Sequence, residues 1–378
     1  MLIGHNLDEY PAKKTEKKLS EIQEDKGGSA VLRKLKEKKV SRPGGGKCEP
    51  ERERDYPCPE VSIPRGPKHR KMAISNITEI VDFILLGFPE LPNLQGFLFW
   101  LFLFIYLCIL IGNGLIIVIT KVDPSLQTPM YFFLGNFSFL EICYTTVTIP
   151  RMLTDLWTQN KHISFLDCVV QLCLFLILGG TECFILAVMA YDRYVAICKP
   201  LNYPLIMNHK VCVQLVVGSW IGAVPIQVGL TYQIFTLSFC SSNELNYVFC
   251  DAPPLVKLAC GDSTLNEFPV FANAVLFGMI PFTLILVSYI RIIITILKLP
   301  SATGRQKAFS TCSSHLIVVG LFYGTGISTY LLPKSKQTVL LEKILSLFYS
   351  TVTPMFNPMI YSLRNKDVIA ALKKLLCK

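Results

Sequence analysis

Asp192-Arg193-Tyr194 stands at the foot of a long apolar run and carries the most specific chemistry in the chain. The triplet lies within Met189-Ala-Tyr-Asp-Arg-Tyr-Val-Ala-Ile-Cys-Lys-Pro-Leu-Asn-Tyr-Pro204, so basic residues and prolines follow it at once. A carboxylate beside a guanidinium at a membrane boundary is costly to keep, which points to a charge switch. For the triplet alone, the bland alternative is a helix end whose arginine snorkels to the headgroups. Two further carboxylates, Glu141 and Glu182, sit deep in apolar runs. Neither is cheaply ionised in lipid, so both are expected to face a bundle interior. No nucleophile accompanies them. The apolar runs hold no Ser–His, Asp–Asp or His-x-x-x-His arrangement, and no Cys or His cluster has metal-ligand spacing. Without a positioned nucleophile, base or metal, an enzyme is not the reading.

These residues need elements that cross a bilayer. At 51% hydrophobic and 17% charged, the 378-residue chain is too apolar for a soluble domain. Seven apolar stretches lie near 97–120, 130–153, 168–192, 212–234, 268–297, 308–332 and 340–363. Each is long enough to span a hydrocarbon core at about 1.5 Å rise per residue. Their patterning is helical rather than alternating, which excludes a β-barrel. The fold class is therefore an all-α membrane protein, a bundle of seven transmembrane helices. With the N-terminus outside, the inner segments hold 13 Lys and Arg, whereas the outer ones past residue 71 hold six. That bias fixes the orientation and puts the C-terminus in the cytosol.

Residues 1–71 differ in kind. They contain 18 of the 37 Lys and Arg and 12 of the 27 Asp and Glu. Such a segment buries little and is expected to be disordered. So many cations would oppose outward translocation, no cleavable signal peptide is evident, and Met72 opens a more natural outside-facing start. The expectation is an extended gene model or an alternative start; a nucleic-acid- or lipid-binding basic arm is the competing reading. The domain reading is an extension over 1–71, an extracellular segment over 72–96, a seven-span receptor domain over 97–363 and a cytoplasmic tail over 364–378. Deleting residues 2–71 is expected to preserve or improve surface expression, measured by surface immunostaining; loss of function would make the tail a genuine element.

Asn76-Ile-Thr78 is a glycosylation sequon about 20 residues outside the first span. A second match at Asn136 lies within the second apolar run, out of the transferase's reach. Of 14 cysteines, Cys168, Cys240, Cys250 and Cys260 fall on the outer side, where oxidation is expected. Four cysteines allow three pairings, and spacing alone does not choose.

The ordered set Gly112-Asn113, Pro129-Met-Tyr-Phe-Phe-Leu134, Met189-Ala-Tyr-Asp-Arg-Tyr194, Ser288-Tyr289, Lys307-Ala-Phe-Ser-Thr-Cys-Ser-Ser-His-Leu316 and Pro354-Met-Phe-Asn-Pro-Met-Ile-Tyr361 is far more specific than any one motif. Over residues 72–378 the chain resembles vertebrate olfactory receptors of the rhodopsin-like G-protein-coupled class. The resemblance implies disulfides Cys168–Cys250 and Cys240–Cys260, each worth roughly 2–4 kcal/mol. It also implies a short amphipathic helix after the last span. Glu141 takes the place of a sodium-binding acid with Asn113 and Asn357 as neighbours, and Glu182 adds a second acid. A shared sodium ion is favoured over a neutral hydrogen-bonded pair, since either relieves the repulsion. As a switch, Asp192 holds Arg193 in an ionic lock beside Tyr194, and Tyr289 and Tyr361 meet Arg193 on activation. Pro358 loosens the last span, and Lys307 to His315 face the G protein.

By the same resemblance the ligand site falls on Phe175, Leu176, Gly179, Gly180 and Gln227, on Val270, Asn273, Ala274 and Phe277, and on Tyr323, Gly326, Ile327 and Tyr330. The set is uncharged, which suits a small neutral volatile molecule with one hydrogen-bonding group. The implied partners are an odorant, a stimulatory olfactory G protein that raises cyclic AMP, membrane lipid and trafficking chaperones, with no nucleic acid. The expected location is the plasma membrane, at olfactory cilia. No cofactor is implied beyond the sodium ion. The alternative function, a seven-span transporter or channel, would need an inverted repeat and a charged path through the bilayer. Neither is present in the sequence.

Overall fold

The computed structural model describes residues 82–89, 91–240, 242–298, 300–330, 339–364 and 366–376. The readings of residues 1–71 and of the Asn76 sequon lie outside these. Seven helical spans form the body: α1 (Gln95–Val122), α2 (Pro129–Thr158), α3 (Phe165–Cys198) and α4 (His209–Phe235) are the first four. A short loop helix α5 (Ala252–Leu258) precedes span five, built from α6 (Ser263–Ala274), a π-helical turn (Val275–Met279) and α7 (Ile280–Leu297). Span six is α8 (Ala302–Tyr330). Span seven is α9 (Val339–Leu347), a second π-helical turn (Phe348–Val352) and α10 (Thr353–Arg364), and α11 (Lys366–Leu376) follows.

Among the described residues, five helices meet the length and hydropathy needed to cross a membrane, and the sixth span contributes a shorter apolar stretch, Cys312–Ser328. Span three is the hub: it packs against spans two, four and five and buries residues from Cys168 to Val195. It starts at an N-cap, where the Ser164 hydroxyl accepts from the Asp167 amide at 3.1 Å. It continues past the expected boundary to Cys198, so Asp192-Arg193-Tyr194 lies inside the helix rather than at its end. Close approach between spans one and seven needs glycine: a Cβ on Gly112 would sit 3.0 Å from Pro358 Cγ. The amphipathic α11 is pinned to the first inner loop by Lys374 Nζ, 3.4 Å from Asp123 Oδ2. Hydrogen bonds from the Ser125 hydroxyl and amide hold Asp123 below the usual carboxylate range, so it stays ionised for this pairing.

The outer mouth is covered by a part that sequence reading treated as plain polar chain. Asp82–Leu85 forms β1, the central strand of a three-stranded sheet. It runs antiparallel to β2 (His162–Ser164) and parallel to β3 (Glu244–Leu245). Phe83 and Leu85 point inward onto Ile163, Leu172, Leu245 and Leu255, a second small core above the bundle. The bridges Cys168–Cys250 and Cys240–Cys260, with Cα separations of 5.6 and 5.3 Å, tie the long outer loop over it. Two lysines complete the seal. Lys161 Nζ donates to the Leu86 carbonyl at 3.0 Å, and Lys343 Nζ to the Gly87 carbonyl at 2.9 Å. Lys343, one of the six Lys and Arg counted on the outer side from sequence, is fully buried.

Candidate ligand site and switch

Directly beneath this cover lies a cavity of about 140 Å³. Spans three, five and six supply most of its wall, span four contributes Gln227 and Leu230, and span seven contributes Tyr349. Twelve of the thirteen expected ligand residues line it together: Phe175, Leu176, Gly179, Gly180, Gln227, Val270, Asn273, Ala274, Phe277, Tyr323, Gly326 and Ile327. The side chain of Tyr330 falls outside the described residues. Sequence reasoning missed Tyr144, Cys183, Leu230, Ala252, Gly278, Met279, Phe322 and Tyr349. Aromatic side chains make the wall rigid. Phe175 stacks on Tyr144 at 5.0 Å between ring centroids and touches Phe249 at 5.0 Å; Phe282 meets Tyr323 at 4.9 Å.

Polar groups in the cavity are few, and two are unmet. Gln227 Oε1 and Asn273 Oδ1 are buried without a hydrogen-bond partner. An unpaired buried amide oxygen costs about 1–3 kcal/mol, so each is primed to accept from a guest. The Tyr323 hydroxyl is already spoken for, donating to the Cys183 carbonyl at 3.5 Å.

One level deeper, a polar cluster spans the bundle. Glu141, Glu182, Asn113 and Asn357 are all buried. Asn357 Nδ2 donates to Glu141 Oε1, and the carboxyls of Glu141 and Glu182 are close enough to feel each other's charge. Asn113 Nδ2 donates to the Ile109 carbonyl at 3.1 Å and to the Pro354 carbonyl at 3.4 Å. That leaves Asn113 Oδ1, Glu141 Oε2 and Asn357 Oδ1 buried with no partner. Two orphaned amide oxygens and the orphaned Glu141 oxygen, with the Glu182 carboxyl beside them, are a donor set of the right chemistry for a small hard cation.

The inner end of span three departs from the expected lock. Asp192 and Arg193 form no ion pair among the described residues. Asp192 Oδ1 instead accepts from the Tyr203 hydroxyl at 2.8 Å. Consecutive helical residues project about 100° apart, so neighbours in sequence do not face each other. Burial and the Asp192 carboxylate push the Tyr203 phenol up, keeping it a donor. Arg193 is buried and its Nη2 has no hydrogen-bond partner. Around it stand Tyr289, Tyr361 and His315, within electrostatic reach. The Tyr289 hydroxyl is 2.8 Å from His315 Nδ1, and the Tyr361 hydroxyl has no partner. Tyr194 carries the Lys199 ammonium 5.9 Å above its ring. The side chain of Lys307 is outside the described residues.

This arrangement of spans is that of the rhodopsin fold. Squid rhodopsin superposes with a TM-score of 0.58 over 74% of this chain and 85% of that one, at 19% identity. The particular family is set by sequence. The olfactory receptor family model matches residues 102–378, and the chain belongs to that family. Olfactory receptor 10AG1 of Homo sapiens is 59% identical, covering 79% of this chain and 99% of the relative. Olfactory receptor 10A7 of Homo sapiens is 53% identical, covering 80% and 96%. The protein is thus a multi-pass membrane receptor for odorants, coupled to G proteins, and not an enzyme; the transporter reading falls.

Proposed function

We propose that the 140 Å³ cavity is the odorant site and that it selects a neutral, mostly apolar volatile carrying one hydrogen-bond donor. The observation that supports this reading is the pair of unmet amide oxygens, Gln227 Oε1 and Asn273 Oδ1, in an otherwise aromatic and aliphatic wall. A dry cavity of this size class holds a benzene-sized guest, and a guest of about ten heavy atoms fits if the wall gives slightly. Binding of roughly 5–8 kcal/mol corresponds to micromolar to sub-millimolar affinity. Gln227→Leu and Asn273→Leu are each expected to raise the half-maximal concentration of a hydroxyl-bearing agonist about tenfold, for about 1.4 kcal/mol lost. Responses to the matched hydrocarbon should be unchanged. Equal shifts for both ligands in a cell-based cyclic-AMP assay would remove the amides from recognition.

The bound ligand shifts the bundle toward a state that docks the stimulatory olfactory G protein and raises cyclic AMP. Plasma membrane and cilia are its sites of action, and trafficking chaperones deliver it there. The polar cluster of Glu141, Glu182, Asn113 and Asn357 holds a sodium ion in the inactive packing. Replacing sodium by a bulky organic cation is then expected to lower the melting temperature of purified receptor by a few degrees, about 1 kcal/mol of lost stabilisation. The effect should vanish in Glu141→Gln. A sodium response that survives that substitution would favour the shared proton instead.

A further inference from the structure

On the lipid-facing side, remote from the odorant cavity, a groove of about 580 Å³ runs between spans four and five with span three as its floor. Both walls pack on span three, yet the inner halves of α4 and α7 scarcely touch each other. The floor runs from Phe184 to Tyr194, ten residues or about 15 Å of helix, which is the depth of one leaflet of a roughly 30 Å hydrocarbon core. The upper part is apolar: Phe184, Val188, Leu215 and Val287. Gly218 faces open space in this groove, where an added Cβ would meet nothing within 4 Å.

Charge gathers only at the cytosolic mouth. Arg291 lines it beside the hydroxyl-bearing Tyr191 and Tyr194, and Lys199 sits over the Tyr194 ring. Lys210 lies one turn below the groove residue Gln214 on α4, and Lys298 two turns beyond Arg291 on the same face of span five. Among the described residues none of these four cations is in an ion pair, and the lining holds no carboxylate. The cytosolic leaflet is the one that carries anionic lipid.

We infer that this groove is a binding site for one anionic glycerophospholipid of the inner leaflet. One acyl chain lies along Val188, Leu215 and Val287, and the headgroup phosphate rests on Arg291 with the neighbouring lysines. The occupant braces α7 two residues from the switch tyrosine Tyr289. This depends on the membrane-spanning fold alone and stands apart from the odorant reading.

The test uses the full chain in phosphatidylcholine nanodiscs containing phosphatidylserine with a photoactivatable acyl chain, with adducts mapped by peptide mass spectrometry. Adducts are expected on the segments around Val188, Leu215 and Val287. Arg291→Gln should lower their yield roughly fivefold, the loss of one membrane-facing cation. Arg291→Lys should restore it. Gly218→Leu, which fills the groove, should abolish the adducts while the charge is intact. Yields are normalised to receptor captured from the cell surface, so a misfolded variant does not count as a loss. Equal labelling by a photoactivatable phosphatidylcholine, indifference to Arg291→Gln, or displacement by cholesterol at constant phosphatidylserine would each overturn the proposal.

Discussion

Gly180→Leu is expected to abolish the odorant response while surface expression stays near the parent level. The backbone of span three comes so close to its neighbours at this point that even a Cβ would lie 3.0 Å from Gln227 Nε2 and 3.1 Å from Phe277 Cδ1. Those atoms are both wall and recognition element. Three more carbons must then enter a cavity of only about 140 Å³. Overpacking of this kind costs about 1–3 kcal/mol, which a bundle of this size survives, whereas the guest loses its place outright. Gly114→Leu, the same change where a Cβ meets nothing within 4 Å, is the control and should respond normally. Overlapping concentration–response curves for Gly180→Leu and the parent would show that odorants bind elsewhere.

Arg193→Ala is expected to eliminate agonist-evoked cyclic AMP with the protein still at the surface. A buried guanidinium with an unsatisfied Nη2 is costly, and such a cost persists when another arrangement satisfies it. The unpartnered Tyr361 hydroxyl and the Tyr289 hydroxyl, held here by His315, are the groups able to do so. Moving an equilibrium from 1:99 to 99:1 takes about 5.5 kcal/mol of differential binding. Removing Arg193 removes the group that discriminates the two packings, so no ligand can supply that difference. Arg193→Lys should be nearly as silent, because an ammonium lacks the planar fork that meets two hydroxyls at once. Undiminished signalling in Arg193→Ala would take the switch away from this cluster.

The spans were legible because length and hydropathy alone force helices in lipid, and the ordered motifs named their neighbours. Most lining positions on spans three, five and six were accessible through the resemblance, although Cys183, Gly278, Met279 and Phe322 on the same spans were missed. Tyr349 was missed too. It sits in the π-helical turn Phe348–Val352, where one extra residue rotates the following face, and Phe-Tyr-Ser-Thr-Val carries no signal for that insertion. The strand Asp82–Leu85 was hidden for another reason: four residues are too few for a period to declare itself, and their partners lie about 80 and 160 positions away. Asp192 and Arg193 show the opposite hazard. Adjacency suggested a pair, while helical geometry sends the aspartate to Tyr203.

The cover over the mouth has a consequence for how the molecule comes into being. Its middle strand leaves the ribosome ahead of every span, yet one edge strand waits for the loop before α5, and the lysine that clasps Gly87 belongs to span seven. Until the outer loop with α5 and the start of span five have emerged, Phe83 and Leu85 have no complete nest, and the half-built receptor shows greasy side chains to the lumen of the secretory compartment. The cover is therefore completed in two stages, its apolar core first and the Lys343 clasp last. A change to Phe83, Leu85 or Lys343, none of which lines the odorant cavity, is expected to slow export of the whole chain.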